Sequence, residues 1–145
     1  MKWLLDTNVC IDVLRGREDV IRCFKECSPD DVAVSAVTGF ELIQGAGRAP
    51  KGLRDEERRK VSAFLARLKQ IPFDEDCGRI AGEMNAGLLN RGTPVSVTDV
   101  FIAATAVSLG VPVVTSNLRD FQKIEGVEVM DWTGGVAEDR EVLPA

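Results

Sequence analysis

At 145 residues, 45% of them hydrophobic, the chain has the length and apolar content of one domain with a buried core, and no stretch approaches the roughly 20 consecutive apolar residues of a membrane span. It holds no histidine and no tyrosine, which removes Ser-His-Asp and Cys-His catalysis together with the commonest general base near neutral pH. Without them, enzymatic chemistry here would rest on carboxylates, lysine or a metal, and a net charge of −5 separately argues against a nonspecific nucleic-acid coat protein.

Residues 2–6 (KWLLD) read as a short buried strand that stops at an acid, and residues 7–15 as a helix that Asp6 or Thr7 can cap. A second helix is predicted over 18–26, then a turn cluster at 28–31 (SPDD) and a strand over 32–35 (VAVS). The next helix runs from 36 to about 44, with Gly45 and Gly47 marking its frayed end. After a loop at 48–52, a helix over 53–69 aligns Val61, Phe64, Leu65 and Leu68 on one face. A short strand at 71–73 precedes a helix that aligns Ile80, Ala81, Met84 and Leu88 and stops near Arg91 and Gly92. Residues 93–97 form a loop. The segment 100–109 is apolar nearly all round, which predicts a helix buried in the middle of the fold. Strands follow at 111–115 (VPVVT) and 127–130 (VEVM). Beyond Trp132 the composition turns polar and Gly-rich, so the domain is expected over 1–132 and a loose tail over 133–145. The chain starts without the apolar region of a secretory leader, which points to the cytoplasm.

Short apolar strands alternating with helices predict an α/β fold with a parallel sheet covered on both faces. Such sheets bind ligands at the carboxyl ends of their strands. Asp6 closes the first strand, Glu41 lies about one and a half turns into the helix after the second, and Asp99 begins the buried helix. Asn117 and Asp120 directly follow the 111–115 strand. Asp6 and Asp99 are equally legible as helix caps, and Asp120 as a surface turn residue. Glu41 stands out because Phe40, Leu42 and Ile43 around it are apolar, and an acid in a closely packed helix needs a partner or a function.

Crowded carboxylates repel one another unless a cation neutralises them. The four cysteines, Cys10, Cys23, Cys27 and Cys77, form no C-x-x-C pair, so without histidine a zinc site is not expected. Oxygen ligands suit Mg2+ or Mn2+, and such an ion suits phosphodiester hydrolysis. Arg15, Arg17, Arg48 and Lys51, with the basic run continuing to Lys69, are candidate phosphate contacts. They read equally well as a solvated helix face or a surface that meets a protein partner.

Four stretches, LLDTNVCIDVLRG, VAVSAVTGFELIQGA, RGTPVSVTDVFIAATAVSLGVPVVTSN and LRDF, resemble the PIN-domain family, and within it the VapC toxins of bacterial toxin–antitoxin pairs. The resemblance implies the PIN fold, a central parallel sheet with helices on both faces. It implies that Asp6, Glu41 and Asp99 form an acidic triad holding Mg2+, for which Mn2+ can substitute, in single-stranded RNA cleavage. Asp6 and Asp99 match the most direct ligands, with Glu41 a ligand or the base for a metal-bound water. Thr7, Asn8 and Ser35 match residues that orient the acids. Asn117 occupies a place where the family often has a fourth acid, so one ion is expected before two, with Asp120 the alternative acid. Also implied are 5′-phosphate and 3′-hydroxyl products, a homodimer, and a VapB-type antitoxin that lays a basic side chain over the acids. The competing readings are a catalytically weak PIN-like interaction module and a DNA-directed PIN nuclease.

Overall fold

The computed structural model describes residues 1–134 and the backbone of Leu143–Pro144. Five parallel strands form the centre: β1 (Trp3–Leu5), β2 (Val32–Ser35), β3 (Lys69–Ile71), β4 (Val113–Val114) and β5 (Glu128–Met130). Their spatial order is β3-β2-β1-β4-β5, and β6 (Leu143–Pro144) adds an antiparallel edge beside β5. The helices are α1 (Thr7–Arg15), α2 (Glu18–Glu26), α3 (Ala36–Gly47), α4 (Arg54–Ala66), α5 (Glu75–Asn90), α6 (Val97–Leu109) and the short α7 (Leu118–Phe121).

Alternate strand residues point to opposite faces, and both faces are apolar because both are covered. Trp3, Leu5, Val32, Val34, Val114 and Met130 pack with α1 to α4. Leu4, Ala33, Val113 and Val129 pack with α5 and α6 on the other side. The all-round apolar segment becomes α6, where Val100, Ile102, Ala103, Ala104 and Ala106 are buried. Gly110, at φ 70, closes it in the left-handed conformation that glycine adopts without a Cβ penalty.

Several boundaries move from their expected places. Helix α3 continues through Gly47, because burial of Leu42 and Ala46 anchors its last turns against the glycines' poor helix propensity. Helix α4 stops at Ala66, so the chain reaches the sheet two residues early and pairs Ala33 with Lys69 and Ser35 with Ile71. Pro72, which has no N–H to donate, ends that strand. Helix α6 starts at Val97 rather than Asp99, and α7 occupies a stretch where no helix was expected.

The predicted tail over 133–145 falls mostly outside the described residues. Within them, Thr133 bonds to Asp131 through its N–H and its hydroxyl, and the Gly134 N–H donates to Asp19 Oδ2 at 3.0 Å. Among the described residues no helix is long and apolar enough to cross a membrane.

Candidate active site

The chain runs outward from β1 to β2 and β3, then returns to place β4 on the other side of β1. That reversal opens a crevice at the carboxyl ends of β1 and β4, the place where open α/β sheets bind ligands. In the sheet register Val34, Leu5 and Val114 lie side by side, and the next residue of each strand is polar. Ser35, Asp6 and Thr115 therefore form a polar row at the strand ends, all three buried.

Asp6 is both helix cap and site residue. Its Oδ1 accepts the Thr7 N–H at 2.7 Å and its Oδ2 accepts the Thr115 hydroxyl at 2.8 Å. Burial raises its carboxyl to about 7; Asp99 and Glu41 push the same way, and the hydrogen bonds from Thr115 and Thr7 oppose them.

Asp99 is the third residue of α6, behind Ser96 at the cap position, so its carboxylate is not the helix cap. It is half-buried, and its carboxyl is raised to about 6 by burial first, then by Glu41 and Asp120. Asn117 Nδ2 lies 3.5 Å from Asp99 Oδ2 and donates to Asp120 Oδ2 at 3.2 Å, while Lys123 Nζ donates to Asp120 Oδ1 at 3.4 Å. Asn117 and Asp120 thus stand together behind Asp99.

Glu41 projects from the second turn of α3 and accepts the Thr7 hydroxyl on Oε1 at 2.7 Å. The packing argument that singled it out does not hold, since Phe40 and Ile43 are 58% and 57% exposed. Its hydrogen bond to Thr7 is what ties it to the other acids. Asp6, Glu41 and Asp99 line one cavity of about 340 Å3 with Thr7, Asn8 and Arg48.

The predicted basic contacts separate. Arg48 lines the acid cavity, and Arg15 lines a neighbouring groove. Arg17 is held by Asp19 at 2.9 Å and Asp12 at 3.8 Å, and Lys51 sits on an exposed turn outside both cavities. Thr38 and Thr115 are site residues that the sequence pattern did not single out. Thr115 was findable by the rule that found Asp6, a polar residue closing a buried strand. Thr38 was findable as the third residue after the helix-capping Ser35.

Among the described residues no three His, Cys, Asp or Glu side chains gather closely enough to form a ready-made metal cage. Nor does any of the three acids pair with lysine or arginine there. An all-oxygen donor set, two of its carboxyls raised by burial and repulsion, fits a hard cation of the Mg2+ kind. Such an ion takes one or two carboxylates and keeps several waters, so it needs no closed cage. Asp6 and Asp99 are the residues suited to hold it.

An open parallel sheet with three acids lining a cavity at its switch point defines a class, and the PIN domain model matches residues 3–127. The chain belongs to the PIN-domain family. Its relatives include proteins of the VapC group. The tRNA(fMet)-specific endonuclease VapC of Salmonella typhimurium is 36% identical over 133 residues, spanning 91% of this chain and 98% of that protein. Ribonuclease VapC2 of Rickettsia felis is 27% identical over 134 residues, spanning 91% and 98%. The crystal structure of DNA-bound VapBC from Salmonella typhimurium superposes with a TM-score of 0.85 at 34% identity, covering 91% of this chain and 98% of that one.

Proposed function

We propose that this protein is an endoribonuclease that hydrolyses RNA phosphodiester bonds in the Asp6–Glu41–Asp99 cavity with Mg2+ or Mn2+, and that it is the toxin of a toxin–antitoxin pair. The observation that carries this reading is one cavity shared by three carboxylates from distant elements, with no cation paired to them among the described residues. The naming of relatives as VapC ribonucleases supports the choice of RNA.

Asp6 and Asp99 would hold the ion, which when bound supplies a lowered water pKa and positive charge against the phosphoryl oxygens. Glu41 has Oε1 engaged by Thr7, leaving Oε2 to take a proton from the attacking water. The water oxygen attacks phosphorus and the bond to the 3′ oxygen breaks, the departing oxygen taking a proton from solvent, which leaves a 5′-phosphate and a 3′-hydroxyl. Arg48, on the cavity wall, is placed to contact a phosphate, and Asn117 adds no charge, so one ion suffices. Asp120 is already engaged by Asn117 and Lys123, which favours a supporting role over a second ligand site.

A groove of about 600 Å3 adjoins the acid cavity and shares Ile11, Glu41 and Gly45 with it. Leu14, Leu42, Ala46 and Val61 give it an apolar floor. A VapB-type antitoxin segment fits this arrangement, with apolar side chains in the groove and a basic one over the acids. Solved neighbours that are VapBC complexes support that partner. The exposed pair Phe40 and Ile43 on α3 supports a homodimer, and the cytoplasm, where an RNA target would be met, is the proposed location.

The test is to incubate antitoxin-free protein with labelled single-stranded RNA, tRNA and single-stranded DNA, in Mg2+, Mn2+ or EDTA. RNA cleavage that requires the metal is expected. Cleavage of DNA alone would support a DNA-directed nuclease, and silence on every substrate would support an interaction module.

A further inference from the structure

The Thr7 hydroxyl does two things at once. Its Oγ1 donates to Glu41 Oε1 at 2.7 Å and lies 3.0 Å from Thr38 Oγ1. A hydroxyl carries one hydrogen and two lone pairs. Thr7 spends its hydrogen on Glu41, so the hydrogen in the Thr38–Thr7 contact comes from Thr38. The direction of the chain is thereby set: Thr38 to Thr7 to Glu41.

Thr38 is fully buried, so its hydroxyl has no water to turn to. Its backbone N–H donates to the Ser35 Oγ at 3.1 Å, the cap that starts α3 on the end of β2. The donor is therefore anchored at the rigid strand end. With Thr38 filling one lone pair of Thr7, the Thr7 hydrogen is aimed at Glu41, and donation into a hydroxyl strengthens the bond that hydroxyl donates onward. Thr7 also donates its N–H to Asp6, so one residue ties two acids, and Thr38 sets its hydroxyl.

We propose that Thr38 is a positioning residue for Glu41, acting through the Thr7 hydroxyl to fix which carboxylate oxygen faces the cavity. This rests on the proposed role of Glu41 in hydrolysis. Two substitutions separate positioning from mere packing. Thr38→Val keeps the shape and loses the hydroxyl; Thr38→Ser keeps the hydroxyl and loses the methyl. A packing role makes the serine variant the worse of the two.

The experiment measures kcat and KM for RNA in Mg2+, and the 13C shift of the Glu41 carboxyl in metal-free protein. Thr38→Val is expected to lower kcat on the order of tenfold with KM little changed, and to move the Glu41 signal. Thr38→Ser is expected to keep both near wild type. If Thr38→Val does not fold, Thr38→Ala, which introduces no new atom, takes its place. An unmoved Glu41 signal, an unchanged kcat, or a serine variant as impaired as valine overturns the proposal. If wild-type protein cleaves no RNA, the proposed function fails, and the Glu41 signal alone then decides the hydroxyl chain: movement in valine but not serine supports it, and any other pattern overturns it.

Discussion

Replacing Asp6 by asparagine removes a charge that the metal-free fold holds at a cost. The carboxyl ordinarily titrates at 3.8 and is raised to about 7 here, chiefly by burial. The folded state therefore binds this proton more tightly than the unfolded chain does. The resulting stabilisation is complete below pH 3.8 and is lost as pH rises through about 7. At about 1.4 kcal/mol per pH unit, the ionised form burdens the fold by up to roughly 4 kcal/mol at pH 8. Asp99 adds to this with the same sign, and since it is half-buried, solvent weakens its share. Asparagine is as good a helix cap as aspartate and carries no charge, and losing the acceptor for the Thr115 hydroxyl offsets about 1 kcal/mol of that gain. In EDTA at pH 8, Asp6→Asn should therefore be more stable than wild type by about 2–4 kcal/mol, or on the order of 10 °C in Tm. At pH 5 the gap should shrink to under about 2 kcal/mol, because folded wild type is then protonated. Urea unfolding at the two pH values reads this directly. Adding Mg2+ at pH 8 should stabilise wild type and leave the variant unmoved. A destabilised variant at pH 8, or a gap independent of pH, would refute the reasoning.

Thr115→Val removes the hydrogen bond that most opposes the burial of the Asp6 charge. The acid limb of its kcat/KM profile should move up by about one pH unit, and an unmoved limb would separate Thr115 from Asp6. Arg48→Glu places a negative charge on the wall of the acid cavity and should raise KM for RNA on the order of tenfold. Arg17→Glu, at a residue engaged by Asp12 and Asp19, should leave KM unchanged in the same steady-state assay.

The layers of this fold were legible because its strands are short, apolar and buried on both sides, so each stands out between helical periods. Helix α2 and strand β2 fall on either side of the turn cluster at 28–31, which marks the end of one and the start of the other. Strand β3 was displaced because Lys69 and Gln70 are exposed and polar; only pairing with β2 makes them strand. No periodicity within four residues announces a helix as short as α7. For the site, chain order put Asp6, Glu41 and Asp99 near strand ends, and the cavity brings them together. The reason given for Glu41 failed, since helical neighbours in sequence face different directions and Phe40 and Ile43 point outward. The hydroxyls of Thr38 and Thr115 escaped notice because threonine at the start of a helix or the end of a strand is ordinary. Only three-dimensional contact shows that each touches a site residue.

The most direct measurement is the rate of RNA hydrolysis by Asp99→Asn beside wild type, in saturating Mg2+ and again in EDTA. Asp99 is neither a helix cap nor fully buried, so the substitution changes the cavity's charge while sparing the fold. A fall on the order of a hundredfold or more in the variant, and loss of wild-type cleavage in EDTA, is expected. Wild-type cleavage that persists in EDTA, or a variant within a fewfold of wild type, would contradict a carboxylate-held metal at the centre of this site.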